Sequence, residues 1–267
     1  MTARSGHPLV RHERQGGVSL VTLDRPERGN ALVPGLLASL QAALDTAALQ
    51  GGPLVLTGSG KAFSTGGDIG GFLDHAGSAE TLRAYAGDLV GALNRVILAL
   101  RRHPGTVIAA VNGPVTGGSL GLALAADRIL ITDTTFVQPY YAVMGFAPDG
   151  GWTALLPQRI GAARASGWIA TDARLYADEL LRIGLADRIC TPAGLTPAAL
   201  AEARAAIPLD PAILLEARRL AGTDSGDLAP ALEAEREAFL DKVVRPETLD
   251  RMRAFTAPKT EAARCAS

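Results

Sequence analysis

Two glycine-rich segments are the parts of this sequence best suited to do chemistry. Residues 61–68 read KAFSTGGD and residues 112–119 read NGPVTGGS, and each segment follows a short apolar run. Glycine lets a backbone turn sharply and lets a ligand approach the main chain closely. Two such turns could supply two convergent backbone N–H donors, which is what stabilises a developing oxyanion. From their spacing alone, both could equally be ordinary strand-to-helix turns.

The segments around these turns alternate between strand and helix patterns. Short apolar, β-branched runs predict strands at residues 18–23, 54–57, 106–111 and 128–132. Apolar residues at helical spacing predict helices that begin near Pro34 and at about 80–100 and 120–126. This alternation predicts right-handed βαβ crossovers and an α/β core.

The chain changes character after about residue 195, where the strand patterns end. Helical patterns follow at residues 199–206, 211–221, 229–244 and 246–255. We therefore divide the chain into an α/β core at 1–195, which carries the active site, and a C-terminal helical region at 196–267. The apolar faces of these helices need a place to be buried, either on the chain's own core or on a neighbouring subunit.

Length, charge and cysteine content narrow the class of protein. A chain of 267 residues fits one large domain, or a core with a smaller appendage. The formal net charge of −1, with both signs intermixed, is unlike a nucleic-acid-binding surface. No apolar segment approaches the roughly 20 residues that span a bilayer, and Cys190 and Cys265 lack the spacing of metal ligands. We expect a cytoplasmic protein without metal, membrane or nucleic-acid partners.

Several short motifs occur in order between about residues 17 and 190. They are LDRPERGNAL (23–32), LTGSGKAFSTGGDI (56–69), AVNG with the following GG and AD (110–127), GFAPDGG (145–151), LPQRIG (156–161) and IGLADRI (183–189). In this order they resemble the crotonase superfamily of enoyl-CoA hydratases and isomerases. The resemblance implies a crotonase (ClpP/crotonase-like) α/β fold, a spiral of ββα repeats with a C-terminal helical region that supports trimers.

The same resemblance implies a reaction and a substrate class. The substrates would be acyl-CoA thioesters, whose enolate is held by two backbone amides; by position these belong to Gly67 and Gly118. Removing a single such donor typically costs on the order of 3 kcal/mol of transition-state stabilisation. No separate cofactor is implied, because coenzyme A is part of the substrate. The implied assembly is a homotrimer or a dimer of trimers.

The reactions of this superfamily differ in which side chain transfers the proton and where that side chain lies in the sequence. Hydratases use two glutamates, one three residues after the glycine that matches Gly118 and one four residues before the glycine that matches Gly145. Here those positions hold Gly121 and Tyr141, so both carboxylates are absent. Adding water requires activating the water and protonating carbon, which the paired carboxylates provide. The sequence therefore departs from the hydratase pattern.

One carboxylate remains at a functional position of the superfamily. Asp149 matches an aspartate that some double-bond isomerases of the superfamily use as their base. Moving a double bond needs a proton removed at one carbon and returned at another, and one carboxylate can do both. Partial burial would raise its pKa toward a useful range. Alternatively, Asp149 could cap a helix that begins near Gly150.

The resemblance also indicates residues for substrate binding. The backbone around Ser64, Thr65 and Ile69 would receive the adenine and pantetheine, and Arg25 and Arg28 could approach the phosphates. The larger set that we expect to bind substrate is Ser64, Thr65, Ile69, Tyr140, Tyr141, Arg25, Phe255 and Lys259. The two tyrosines could line the acyl pocket. Phe255 and Lys259 resemble the pair that closes over CoA in relatives, although their spacing here is one residue longer.

The residues favour an enoyl-CoA isomerase with Asp149 as its proton shuttle and Gly67 and Gly118 as its oxyanion donors. Two enzymatic alternatives remain: a hydratase that positions water in another way, and a decarboxylase in which the leaving carboxylate supplies the electrons. A third alternative is an acyl-thioester binding protein that has lost catalysis, since both glutamates are missing.

Overall fold

Within residues 8–221 and 227–257, the computed structural model contains nine strands and twelve α-helices. The strands are β1 (Val10–Gln15), β2 (Val18–Leu23), β3 (Leu54–Gly58), β4 (Val107–Val111), β5 (Val115–Thr116), β6 (Arg128–Thr132), β7 (Phe136–Gln138), β8 (Leu175–Tyr176) and β9 (Arg188–Cys190). The helices are α1 (Pro34–Gln50), α2 (Ile69–Asp74), α3 (Ala79–Arg101), α4 (Leu120–Leu124), α5 (Tyr141–Met144), α6 (Leu156–Ile160), α7 (Ala162–Thr171), α8 (Ala177–Arg182), α9 (Pro192–Ala205), α10 (Pro211–Leu220), α11 (Leu228–Val243) and α12 (Pro246–Thr256). None of the helices in the described ranges is long and apolar enough to cross a membrane.

The main sheet brings the two glycine turns to one edge. Its six strands run in the order β1-β2-β3-β4-β6-β9, and every neighbouring pair except β1 and β2 is parallel. Strands β3 and β4 are neighbours that pair Leu56 with Ala109, and the Thr57 hydroxyl donates to the Ala110 carbonyl at 2.7 Å. Because parallel neighbours end at the same side of a sheet, the turns that follow β3 and β4 meet there.

Both faces of this sheet are buried. On one face, residues such as Leu56 and Ala109 share a core with α1 and α3. On the other face, Val55 and Ile108 pack against Ala199 of α9. Parallel strands covered on both sides are expected to be almost continuously apolar, as these strands are. The boundary that we placed at residue 195 falls inside α9. This first helix of the C-terminal region covers a sheet face, so it packs as part of the α/β core.

The other C-terminal helices also lie on the chain's own core. Helix α11 packs along α3, where the Asn94 amide donates to the Leu232 carbonyl at 3.0 Å. Helix α10 carries Arg218, whose guanidinium donates to both carboxylate oxygens of Asp127 and to the carbonyls of His103, at 2.6 Å, and Gly105, at 3.0 Å. This side chain is only 5% exposed and clamps α10 to the start of β4.

Replacing Arg218 with leucine should destabilise the fold. Removing one partner of a buried ion pair leaves the other uncompensated, so we expect the free energy of unfolding to fall by about 3–5 kcal/mol. Urea unfolding followed by circular dichroism measures the change. Arg219→Leu is the matched control, since Arg219 is exposed and pairs with Glu216 on its own helix; its midpoint should equal that of the wild type. Equal midpoints for the two variants would refute the clamp.

Candidate active site

The two glycine turns are joined to each other by hydrogen bonds centred on Ser64. The Ser64 carbonyl accepts from the N–H of Thr116 at 3.2 Å and from the Ser119 hydroxyl at 3.0 Å. The Ser64 hydroxyl donates to the Asn30 carbonyl at 2.8 Å, and the Asn30 amide donates to the Ala62 carbonyl at 2.8 Å. Ser64 is fully buried, so its polar atoms hold the turns together from beneath rather than facing a ligand.

The expected oxyanion donors, Gly67 and Gly118, both line one cavity. Leu32 pairs with the first turn: its N–H donates to the Gly66 carbonyl at 2.7 Å and its carbonyl accepts from the Asp68 N–H at 3.0 Å. In this parallel bridge the N–H of Gly67, between the two bonds, points away from Leu32. Gly118 lies in the 3₁₀ turn Gly117–Ser119 that leads into α4, where the first N–H groups have no intrahelical acceptor.

Asp68 fixes the end of the first turn. Its carboxylate accepts from the Gly70 N–H at 3.1 Å, which caps α2, and it pairs with Arg25 at 2.8 Å and Arg28 at 3.0 Å. Burial raises the pKa of Asp68, but the hydrogen bonds and positive charges of Arg25 and Arg28 outweigh it and hold that pKa below its usual range. The carboxylate therefore stays ionised and orients the loop.

Asp149 lies directly against the second glycine turn. A Cβ built on Gly118 would be 2.7 Å from Oδ1 and 2.9 Å from Oδ2 of Asp149. The Asp149 side chain is buried and lines the same cavity as the two glycines. No helix begins at Gly150, because residues 150–155 form turns and α6 starts at Leu156. The structure thus contradicts the helix-cap interpretation of Asp149.

Tyr141 is the hydrogen-bond partner of Asp149. Its hydroxyl donates to Asp149 Oδ1 at 2.7 Å and lies 2.9 Å from the Asp149 carbonyl oxygen. Burial raises the pKa of Asp149 to about 7; the Tyr141 hydrogen bond opposes this rise, and the negative charge of Glu235 adds to it. Burial, and then the charge of Asp149, raise the pKa of Tyr141 well above its usual value, so the phenol stays protonated.

The cavity that contains these groups has a volume of about 460 Å³ and mostly apolar walls. Phe72, Phe146 and Phe239 form a cluster on its wall, with ring centroids 4.9 to 6.0 Å apart. Its lining includes most of the residues that we expected to bind substrate, namely Thr65, Ile69, Tyr140, Tyr141 and Phe255. Phe255 packs edge-on to Tyr140 at 6.0 Å.

Two of the expected binding residues, Ser64 and Arg25, are described and are not in the lining. Ser64 is buried beneath the turns, as described above. Arg25 donates to the Ala31 carbonyl at 3.0 Å and pairs with Asp68, so its guanidinium is engaged within the protein. The exposed neighbour Arg28 lines the cavity instead. Lys259 lies outside the described residues.

Gly121 is tightly enclosed. A Cβ built there would be 2.1 Å from the Gly150 carbonyl oxygen and 2.6 Å from Ile97 Cδ1. The space in which a side chain at position 121 would lie is filled by the loop that carries Asp149. The packed loop therefore leaves no room for a carboxylate at this position.

Glu235 is a buried group of the site that the sequence analysis missed. It lies on α11, and its carboxylate accepts hydrogen bonds from the loop that follows Asp149. A glutamate among other charged residues of an amphipathic helix is typical of a solvated surface, so no sequence signal marked it. No cluster of three or more His, Cys, Asp or Glu side chains suited to a metal occurs among the described residues.

Comparison with known proteins gives consistent matches. A family model described as "Enoyl-CoA hydratase/isomerase" matches residues 13–245. A Rhodobacter capsulatus protein named "Probable enoyl-CoA hydratase" is 37% identical over 176 residues, covering 66% of each chain. A Streptococcus mutans protein named "Trans-2-decenoyl-(acyl-carrier-protein) isomerase" is 33% identical over 186 residues, covering 66% of this chain and 67% of that protein. The chain thus spans about two thirds of the length of these relatives.

A solved structure shows the fold. The crystal structure of an enoyl-CoA hydratase from Bacillus halodurans matches with a TM-score of 0.85 at 24% identity, covering 92% of this chain and 99% of that one. The crotonase fold expected from the motifs is confirmed. The names of the matches do not decide between the two reactions.

Replacing Gly121 with alanine should damage both stability and activity. The new Cβ forces the Gly150 backbone, and with it Asp149, away from Gly118, at an expected cost of about 3 kcal/mol. Thermal unfolding and turnover measure the two effects. Gly167→Ala is the control, because Gly167 lies on the exposed side of α7 with nothing within 4 Å of a built Cβ. It should gain roughly 0.5–1 kcal/mol, and a Gly121→Ala protein of wild-type stability would contradict the packing described.

Proposed function

Because the chain belongs to the enoyl-CoA hydratase/isomerase family of the crotonase superfamily, we propose that it isomerises the double bond of enoyl thioesters with Asp149 as proton shuttle. One observation carries this proposal: the carboxylate of Asp149 lies against Gly118, inside the cavity that Gly67 also lines. A base and two candidate oxyanion donors are therefore placed around one space. An enolate formed there would have its oxygen at the glycines and its carbons near Asp149.

In the proposed reaction, the thioester oxygen accepts hydrogen bonds from the N–H groups of Gly67 and Gly118. Asp149 removes a proton from the carbon that will become part of the new double bond. The electron pair of that C–H bond moves into the conjugated enolate, whose oxygen the two N–H groups stabilise. Asp149 then returns the proton to the other end of the system. Reactant and product are isomers, so no co-reactant is needed.

The proton affinity of Asp149 suits this role. A shuttle must take a proton in one step and give it back in the next, which is easiest when its pKa lies near the working pH. Burial raises the pKa of Asp149 to about 7, where the protonated and ionised forms are similarly populated. Tyr141 holds one carboxylate oxygen at 2.7 Å, which leaves the other free to face the substrate carbons.

Hydration is less well supported by the same site. The lining contains two further carboxyl groups, Glu27 and Asp68. Asp68 is neutralised by two arginines, and Glu27 is exposed on the 3₁₀ turn Pro26–Arg28. The packing around Gly121 leaves no room for a carboxylate at that position. Among the described residues, the wall around Asp149 therefore offers no second carboxylate that could act as a base toward water.

The walls also favour an uncharged acyl group. Among the described lining residues, Arg28 is the one basic side chain, and it is paired with Asp68. Aromatic and aliphatic side chains form most of the remaining wall, including Phe72, Phe146 and Leu93. An acyl group that carries a carboxylate would have no cation to receive it beside Asp149. This supports isomerisation of an apolar enoyl chain over decarboxylation.

Replacing Asp149 with asparagine should abolish isomerisation while leaving substrate binding intact. We expect kcat to fall by about 10²- to 10⁴-fold, the usual contribution of a positioned acid or base. Purified protein is incubated with α,β- and β,γ-unsaturated acyl thioesters, on CoA and on acyl carrier protein, and the products are separated chromatographically. Mass spectrometry distinguishes an isomer from a hydrated product. Asp133→Asn, at an exposed aspartate, is the control.

The outcomes of this experiment separate the competing functions. Full turnover of the Asp149→Asn variant would refute the shuttle. Products that gain one water would show a hydratase, and tight binding by titration calorimetry without turnover of any thioester would show a binding protein. Transfer of deuterium from one carbon of the substrate to the other would support a single carboxylate that carries the proton.

The pH profile should reveal Asp149, and Tyr141→Phe should shift it in a defined direction. The base acts when ionised, so kcat/KM should rise with pH through the pKa of about 7. The Tyr141 hydrogen bond stabilises the ionised form and lowers that pKa. Removing the hydroxyl therefore raises the pKa and moves the rising limb to higher pH. Tyr176→Phe, at an exposed tyrosine, should leave the limb in place; a downward shift for Tyr141→Phe would contradict the assignment.

A further inference from the structure

Glu235 holds the loop that carries Asp149. Its Oε2 accepts from the Gly151 N–H at 2.7 Å. Its Oε1 accepts from the Thr153 N–H at 2.7 Å, the Thr153 hydroxyl at 2.6 Å and the Ala154 N–H at 3.0 Å. Glu235 is only 5% exposed, and all four donors come from the segment that begins two residues after Asp149. One carboxylate of α11 therefore fixes the course of this loop.

These contacts describe an ionised carboxylate. Four donors converge on its two oxygens, an arrangement that favours the charged form over the protonated acid. Burial raises the pKa of Glu235 above its ordinary value, and the hydrogen bonds from Thr153, Gly151 and Ala154 limit that rise without cancelling it. Within the described part of the chain, Glu235 forms no ion pair with an arginine or lysine. Its neighbour Arg236 instead pairs with Glu233 and donates to the Gly87 carbonyl.

The charge of Glu235 lies close to the segment that carries Asp149, because its oxygens accept from N–H groups that begin at Gly151. From the elements packed around it, the titratable groups that its charge influences are Asp149 and Tyr141. The α3 side of α11 contributes the neutral Asn94 amide. A buried negative charge beside a second carboxyl group disfavours ionisation of that group. The effect of Glu235 therefore opposes the effect of the Tyr141 hydrogen bond.

We propose that Glu235 is a positioning residue that seats the Asp149 loop on the second glycine turn and, by its charge, favours the protonated form of Asp149. The catalytic role of Glu235 rests on the proposed function, in which Asp149 is the proton shuttle. Its effect on the ionisation of Asp149 does not depend on that function. Consistent with this effect, the charge of Glu235 contributes to the raised pKa of Asp149. The C-terminal helical region thus supplies a group that tunes a base located in the α/β core.

The test measures the ionisation of Asp149 directly. Protein labelled with ¹³C at the aspartate and glutamate carboxyl carbons is titrated by NMR, and the Asp149 signal is identified by its loss in Asp149→Asn. In Glu235→Gln, we expect the Asp149 midpoint to move down by about one pH unit, as loss of a nearby buried charge requires. The rising limb of kcat/KM should move down with it. Glu233→Gln, two residues earlier on α11 and half exposed, is the matched control and should shift neither.

A second measurement needs no variant at position 235 and stays informative if Glu235→Gln fails to fold. In the wild-type protein, coupled carboxyl groups should give the Asp149 carbon two inflections, one of them at the titration of Glu235. A single inflection, or an unchanged midpoint in folded Glu235→Gln, would overturn the proposal. If the NMR midpoint shifts but the Asp149→Asn variant retains turnover, Glu235 tunes Asp149 as proposed and the shuttle is wrong.

Discussion

The candidate site depends on one joint, in which the carbonyl of Ser64 accepts hydrogen bonds from the second glycine turn. Its two donors, the N–H of Thr116 and the hydroxyl of Ser119, come from the segment that places Gly118. The parallel pairing of β3 with β4 brings the turns to the same edge, and this joint sets how they face each other there. An oxyanion site needs its donors fixed before the charge develops. Side chains buried beneath the turns supply that rigidity, and backbone groups of the turns face the cavity.

A second set of contacts, made by the loop that carries Asp149, depends on this joint. The loop that carries Asp149 sits on the second turn so closely that the Gly150 backbone touches Gly118 and fills the space beside Gly121. The indole of Trp152 donates to the Gly117 carbonyl at 2.8 Å and secures this contact. The same close approach that brings the Asp149 carboxylate to Gly118 removes the room for a side chain at position 121. The packing of these two backbones thus determines which carboxyl group can lie beside the second glycine turn.

Much of this architecture could be predicted from the sequence. Strands β2 and β6 have the predicted bounds, and helix α3 extends one residue beyond its prediction at each end. Buried parallel strands form continuous apolar runs, and long amphipathic helices have a strong 3.6-residue period. The edge strand β1, with the sequence VRHERQ, was missed because most of its side chains are polar and partly exposed. The glycines and Asp149 were found through ordered motifs.

What could not be predicted rests on contacts between distant parts of the chain. Arg25 was expected to bind phosphate, yet it is held by Asp68, since a charge pattern does not show which carboxylate an arginine will meet. Tyr141 lines the cavity, but the sequence does not show that Asp149 would be the partner of its hydroxyl. The burial of Glu235 depends on how α11 docks against α3 and the Asp149 loop, and no local pattern encodes that.

The hydrogen bonds of Glu235 also determine when the candidate site can be completed during synthesis of the chain. Gly151 and Glu235 are 84 residues apart, so during synthesis the loop leaves the ribosome long before its anchor does. A nascent chain that has folded only its sheet and glycine turns holds the Asp149 loop without the four bonds that fix it. Helix α11 thus completes a candidate site whose two glycine turns and Asp149 are synthesised earlier. A chain that ended after the core would therefore contain Asp149 but lack the contacts that fix its loop.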